Sequence, residues 1–341
     1  MLRPIEIHNP PGIPGLRFRP FRGESDLPAM VVTANASFVA EGLEYHRTVE
    51  DMSRDYANFT GCEPMVDVVI AEVNGTMVGY ARVWRWTQAD GVTLHGQLGF
   101  VPPQWRGRGL GRALQDWIEE RHRTVAATQP DDTVHEHEAF INQTEQARTA
   151  LVTRCGYRAV RHIFTMVRPT LDDIPDFAMP PGLEVRPVCP EHYPKIWDAH
   201  MDALKDVWAF SPPRQGDYEA WLQTKVFQPH LWQIAWDTTT NEVAGQVKTY
   251  IDTAWNEGFN RQRGWTEFIS VGRPWRQRGL ARALVVRSLR VQRHAGMLES
   301  GLGVDSESPT GATRVYEDCG FGVTGRNTVY RKPLGQGLPT E

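Results

Sequence analysis

Trp105-Arg106-Gly107-Arg108-Gly109-Leu110-Gly111-Arg112-Ala113-Leu114 recurs later in the same chain as Trp275-Arg276-Gln277-Arg278-Gly279-Leu280-Ala281-Arg282-Ala283-Leu284. Only Gly107/Gln277 and Gly111/Ala281 differ. A second pair follows in the same order, Cys155-Gly156-Tyr157 and Cys319-Gly320-Phe321. Each copy runs on through a β-prone stretch to Arg168-Pro169 or Lys332-Pro333. Two ordered matches identify an internal repeat, so the chain reads as two copies of one domain. Pro169, Pro175, Pro180 and Pro181 break regular structure between the copies, and Asp172, Asp173 and Asp176 keep that stretch solvated. The first domain is expected over 1–170 and the second over 180–335. The tail with Gly335, Gly337 and Pro339 is expected to lie outside regular structure.

Working outward from the repeat, the hydrophobic pattern predicts the same elements twice. In the first copy a strand at 16–20 precedes helices at 27–40 and 49–59, the second capped by Thr48. Strands at 67–73 and 77–87 flank Asn74-Gly75, a hairpin signal, and a third strand covers 93–101. Leu110, Ala113, Leu114, Trp117 and Ile118 then line one helical face. The second copy reads as a strand at 183–187, helices at 192–210 and 216–226, and strands at 232–237, 243–252 and 265–271. A helix at 279–294, a strand at 301–304, a helix at 309–319 and a strand near 328–331 complete it. The order β-α-α-β-β-β-α-β-α-β is that of an α/β (α+β) domain with a mixed sheet.

Bulk properties narrow the function. The 341 residues are 40% hydrophobic and 23% charged, with a net charge of -4. There is no basic excess of the kind nucleic-acid binding requires, so no nucleic-acid partner is expected. The four cysteines are widely spaced and form no Cys-x-x-Cys pair, which fits a reducing compartment. Met1-Leu2-Arg3-Pro4-Ile5-Glu6 lacks an apolar core, and no run approaches the roughly 18 apolar residues of a spanning helix. A cytoplasmic protein without membrane partner is expected, as a monomer or homodimer. His135-Glu136-His137-Glu138 places two histidines on one strand face, but no Cys or third His is near in sequence, and no metal is expected.

The repeated decapeptide has the chemistry of an anion site. A helix start presents several amides with no partner inside the helix, together with roughly half a positive charge from aligned peptide dipoles. Gly109 and Gly279 leave the backbone open to close approach. Arg106, Arg108 and Arg112, or Arg276, Arg278 and Arg282, add charge-assisted donors. No Gly-Lys-Ser/Thr follows, and the spacing is not Gly-x-Gly-x-x-Gly, so nucleoside triphosphate and dinucleotide loops fit less well.

Both turns, with the strand before and the helix after, resemble the acyl-CoA signature Gln/Arg-x-x-Gly-x-Gly/Ala of the GNAT superfamily of N-acetyltransferases. Val101-Pro102-Pro103-Gln104-Trp105-Arg106 also has the usual Val-x-Pro-x-x-Arg approach, whereas Val271-Gly272-Arg273-Pro274-Trp275-Arg276 moves the proline one place. The tandem layout is similar to that of the mycothiol synthase family, whose C-terminal copy carries the reaction. The resemblance implies acetyl-CoA as acyl donor and a primary amine on a small molecule as acceptor. It implies CoA contacts at Val271, Arg276, Gln277, Arg278, Gly279, Leu280, Ala281, Arg282 and Ser308. In the first copy the matching positions are Val101, Arg106, Gly107, Arg108, Gly109, Leu110, Gly111 and Arg112.

The segment Ser308-Pro309-Thr310-Gly311-Ala312…Val315-Tyr316-Glu317…Gly320-Phe321 is similar to the superfamily's Asn-Pro-x-Gly-Ala…Leu-Tyr-Glu…Gly-Phe segment, with Ser308 in place of Asn. By that match Tyr316 is the acid for the departing thiolate. The first copy has Val152 there, so it is expected to bind CoA but to be degenerate in catalysis. Glu267 stands where several members place a basic carboxylate, and the Val271 amide is an oxyanion donor candidate. Strand alternation would put Glu267 and Ile269 on one face, Phe268 and Ser270 on the other. Trp197, Trp208 and Trp221 fall where the family forms its acceptor cleft. A CoA-binding scaffold without activity, and a protein or peptide N-acetyltransferase, are the alternatives.

Overall fold

The computed structural model describes residues 5–129 and 133–335. The expected tail positions Gly337 and Pro339 lie outside the described residues. Local chemistry explains the first elements. Strand β1 (Leu16–Pro20) leads into helices α1 (Leu27–Ala40) and α2 (Val49–Ala57). Thr48 caps α2 as expected, its hydroxyl accepting from the Asp51 amide at 3.0 Å while the Asp51 carboxylate accepts from the Thr48 amide. A single turn, α3 (Pro64–Asp67), precedes β2 (Val68–Val73) and β3 (Thr76–Thr87). Asn74 (φ 51°) and Gly75 (φ 81°) both take left-handed conformations, forming the tight hairpin that the dipeptide predicts. Strand β4 (Thr93–Phe100), helix α4 (Leu110–Ala126), β5 (His135–Asn142), α5 (Gln146–Arg154) and β6 (Arg158–Arg168) follow.

The second set repeats the plan: β7 (Leu183–Val185), α6 (Tyr193–Leu204), α7 (Asp217–Leu222), β8 (Gln233–Asp237) and β9 (Val243–Tyr250). Then come α8 (Thr253–Phe259), β10 (Arg263–Val271), α9 (Leu280–His294), β11 (Glu299–Asp305), α10 (Ala312–Asp318) and β12 (Gly322–Pro333). Helix α8 was not expected from the pattern. Its signal is Asp252, whose carboxylate accepts from the Trp255 amide at 3.1 Å as an N-cap.

The chain divides into two compact units that are not contiguous halves. One holds the described residues up to Val160 and those from Thr328 onward; the other holds Arg161–Asn327. This division by compactness differs from the expected 1–170 and 180–335 in that each unit takes its closing strand from the other half of the sequence. In the first unit the strands run β1-β2-β3-β4-β5-β12. Arg331 of that closing strand bonds Glu138 at 2.8 Å, and Tyr330 packs on Ala139, Ile141 and Tyr157. In the second unit the order is β6-β11-β10-β9-β8-β7, with β6 antiparallel to β11 from Arg168 opposite Ser300 to Ile163 opposite Asp305.

Each unit buries its long post-turn helix on one face of its sheet. In the second, Leu280, Leu284, Val285, Val286 and Leu289 of α9 sit in a core with Val247, Leu302, Tyr316 and Phe321. Opposite, Ile196 of α6 packs with Trp232, Ile234 and Trp236. No helix among the described residues is long and apolar enough to cross a membrane.

Candidate active site

In the second unit β10 starts in register with β9, Trp265 opposite Tyr250 and Glu267 opposite Lys248, but Ser270 then falls opposite Gln246. One extra residue is accommodated in a bulge, where Phe268 takes φ 50°. A left-handed aromatic residue costs on the order of 1–3 kcal/mol, and such strain collects at working sites. The bulge corrects the alternation expected from sequence. Thr266 faces α9, its hydroxyl 3.1 Å from that of Ser288, and Ile269 also packs into the α9 core. Phe268 meets the ring of His200 on α6 at 6.2 Å, and Ser270 Oγ lies 3.0 Å from His200 Nδ1. Glu267, next to Thr266 on a regular stretch, therefore shares the α6 face with Phe268 and Ser270 and not a face with Ile269.

Glu267 Oε1 accepts from the Gly303 amide at 2.8 Å. Burial pushes its carboxyl up to about 7, with the Gly303 and Phe268 amides opposing the shift. Tyr316, on α10, is 6% exposed, and burial followed by the nearby Glu267 charge holds its phenol well above the usual value. Glu267, the other group named from sequence, is thus close enough to Tyr316 to influence its ionisation.

After β10 a short turn, Arg273–Trp275, is followed by Gln277 (φ 59°), Gly279 (φ 84°) and α9. Gln277, Arg278 and Gly279 are exposed, and a Cβ added at Gly279 would meet nothing within 4 Å. The arginines divide by role. Arg276 Nε donates to the Val271 carbonyl at 3.0 Å, and its guanidinium pairs with Asp206 at 2.7 Å. Arg282 pairs with Asp318 at 2.5 Å. Arg278 has no hydrogen-bond or ion-pair partner among the described residues. Leu280 is buried, Ala281 and Ser308 are half-buried, and Ser308 Oγ lies 3.0 Å from Thr310 Oγ1.

The first unit repeats the brace. Arg106 Nε donates to the Val101 carbonyl at 3.0 Å and its guanidinium pairs with Glu41. Arg112 pairs with Asp116 at 2.8 Å, and Arg108 lies over the Trp105 ring. Gly107 (φ 72°) and Gly109 (φ 87°) shape the turn before Leu110, and half-buried Gly111 follows within α4. Here the likeness ends. A Cβ at Gly109 would stand 3.1 Å from Pro11 Cβ, and Ile5, Ile7 and Ile13 of the same segment pack against the core cluster that Val101 and Trp105 also flank. Strand β4 pairs with β3 without a register shift. The offset that carries Arg106 to Arg276 carries Gln97 to Glu267, and Val152, at the Tyr316 position, is 1% exposed.

Sequence reasoning missed Gln97, which the repeat offset would have supplied, and also Lys248 and Asp206, which no local pattern marks. Trp197 and Trp221 come together at 5.4 Å with Tyr218 beside them, whereas Trp208 lies against Arg161. Among the described residues no group of three or more His, Cys, Asp or Glu could hold a metal ion.

The acetyltransferase (GNAT) domain pattern matches residues 65–159, and the acetyltransferase (GNAT) family pattern matches 193–321. A mycothiol acetyltransferase of Salinispora tropica is 28% identical over 253 residues, 73% of this chain and 75% of that protein. One of Saccharopolyspora erythraea is 24% identical, over 74% and 81%. Among solved structures, a GCN5-related N-acetyltransferase from Sphaerobacter thermophilus superposes with a TM-score of 0.72 at 27% identity, covering 95% of this chain and 97% of that one. A tandem GNAT protein from the clavulanic acid biosynthesis pathway gives 0.68 at 17% identity, covering 95% and 100%, a likeness of fold.

Proposed function

We infer, the chain being a tandem member of the GNAT acetyltransferases, that its second unit moves an acetyl group from acetyl-CoA to the primary amine of a small molecule. The observation that carries this reading is Glu267, a carboxyl pushed up to about 7 at a backbone bulge beside Tyr316. An alkyl ammonium, with a pKa of about 10.4, must lose a proton before it can attack. Ionised Glu267 takes a proton from the acceptor nitrogen, directly or through one water. As the carbon–nitrogen bond forms and the carbon–sulfur bond breaks, the Tyr316 hydroxyl gives its proton to the sulfur. The amide of Val271 holds the carbonyl oxygen while charge develops on it.

The turn before α9 suits the diphosphate of the donor. Exposed backbone at Gln277–Gly279, open space beside Gly279 and the unpaired Arg278 support this use. The aromatic surroundings of the α6 face favour a small acceptor over a protein chain. The first unit, with Gln97 and Val152 at the reacting positions, is read as non-catalytic. Release of CoA thiol by purified protein across a panel of small amines tests the reading. Release that depends on both Glu267 and Tyr316 is expected, and no release with any amine overturns it.

A further inference from the structure

Lys248 of β9 is 3% exposed, and no carboxylate or hydrogen-bond acceptor among the described residues meets it. Its ammonium lies instead among rings, 4.8 Å from the centroid of Trp221, 5.8 Å from Phe268 and 5.9 Å from Trp232. Burial lowers it to about 7. Buried lysines ordinarily find a counter-charge, because desolvation of an unpaired ammonium costs several kcal/mol. Glu267, its cross-strand partner, is not that counter-charge, being bonded to Gly303.

We propose that Lys248 anchors a carboxylate on the acceptor, so that the acceptor class is an amine that also carries a carboxylate, with an apolar or aromatic body. Three placements support this. Lys248 lies on the α6 face beside the bulge, where Phe268 is 43% exposed and the neighbouring ring of Trp221 is half-buried. A planar, singly charged group matches one ammonium between flat rings, whereas a phosphate brings nearly twice the charge. Trp197, Tyr218 and Trp221 line the same face with apolar surface. The titratable groups around that face include His200, held neutral by burial and Lys248, Tyr193, Tyr218 with Glu219 and Asp198 near it, and Glu267. A purely structural stack is the competing explanation. Arg82 of β3 forms one in the first unit over Phe59, but Arg82 is only half-buried.

This inference rests on the amine-acetylating reading, and its test does not need turnover. N-acetylated amino acids with apolar and aromatic side chains, and the matching amides, are titrated into the CoA-saturated protein by calorimetry at pH 7.5 in two buffers of different ionisation heat. The expected result is acids binding at least tenfold tighter than amides, with proton uptake as Lys248 becomes charged. Lys248→Met is expected to lose both the preference and the uptake, with CoA affinity unchanged. Equal binding of acid and amide, a Lys248→Met variant that keeps the preference, or no binding by any acid overturns the proposal. Absence of CoA release with every amine, beside a retained acid preference, would sink the acetylation reading and leave the anchor standing.

Discussion

Pro11 lies against Gly109 in the first unit, where a Cβ on the glycine would come within 3.1 Å of it, while the equivalent space beside Gly279 in the second unit is open. The two turns share their arginines and their left-handed glycines, so the difference is not in the motif. It comes from a segment far away in sequence that packs Ile5, Ile7 and Ile13 against the core holding Leu110 and Leu114. A diphosphate approaching the first turn meets proline carbon where the second turn offers open space.

One CoA per chain is therefore expected by calorimetry. Arg278→Ala should weaken that binding by about 1.5–3 kcal/mol, the worth of a charged hydrogen bond. Arg108→Ala should leave it unchanged. Two equivalent sites, or loss of binding on changing Arg108, would show that Pro11 does not close the first turn.

Arg276 predicts a different outcome from its neighbour. It joins the end of β10 to Asp206 through the Val271 carbonyl, as Arg106 joins the end of β4 to Glu41. Arg276→Ala should lower the midpoint of denaturation and weaken CoA through a loosened turn. Asp206→Asn should reproduce both effects in milder form, although Asp206 has no role in phosphate binding. If Asp206→Asn matches the parent in both measurements, Arg276 acts on the ligand directly and not as a brace.

Tyr316→Phe keeps the ring that packs 6.4 Å from Phe321 and removes only the hydroxyl. Turnover should fall about 10²-fold, the lower range for a positioned acid, with CoA affinity unaltered. The parent should show an ascending limb of kcat/KM with an apparent pKa near 7, and Glu267→Gln should abolish it. An unchanged limb in the variant would assign it to another group.

The repeat made the fold legible, because the duplicated turn, its strand and its helix are local in sequence. Tyr316 was legible for the same reason, sitting at a fixed spacing from Cys319-Gly320-Phe321. What could not be read depends on neighbours distant in the chain. The bulge at Phe268 is a mismatch between β9 and β10, and alternation within β10 alone gives the opposite face for Glu267. The strand exchange is invisible to periodicity, since β6 and β12 carry the same pattern whichever sheet they close. The burial of Lys248 depends on Trp221 and Trp232, which reach it from α7 and from the segment before β8.

The first unit is expected to lose stability in acid. In the first unit His95 Nε2 lies 3.0 Å from His135 Nδ1, and His122 Nδ1 lies 2.7 Å from His137 Nδ1. Burial lowers His95 to about 4 and His137 to about 3, with neighbouring positive charge adding to each shift, and it lowers His122 strongly as well. These folded-state values lie below the unfolded value of about 6.5. The unfolded chain therefore binds protons that the folded unit refuses. The stabilising effect is complete above pH 6.5 and is lost as pH falls toward 4 and then 3. Within that window each such histidine contributes a slope of roughly 1.4 kcal/mol per pH unit. Denaturant midpoints measured from pH 7.5 to 4 should fall accordingly, and His95→Gln should flatten the fall by about one histidine's share. A midpoint independent of pH between 6.5 and 4.5 in the parent would mean that the folded unit takes up as many protons on these rings as the unfolded chain does, and would overturn the buried, neutral state of the cluster.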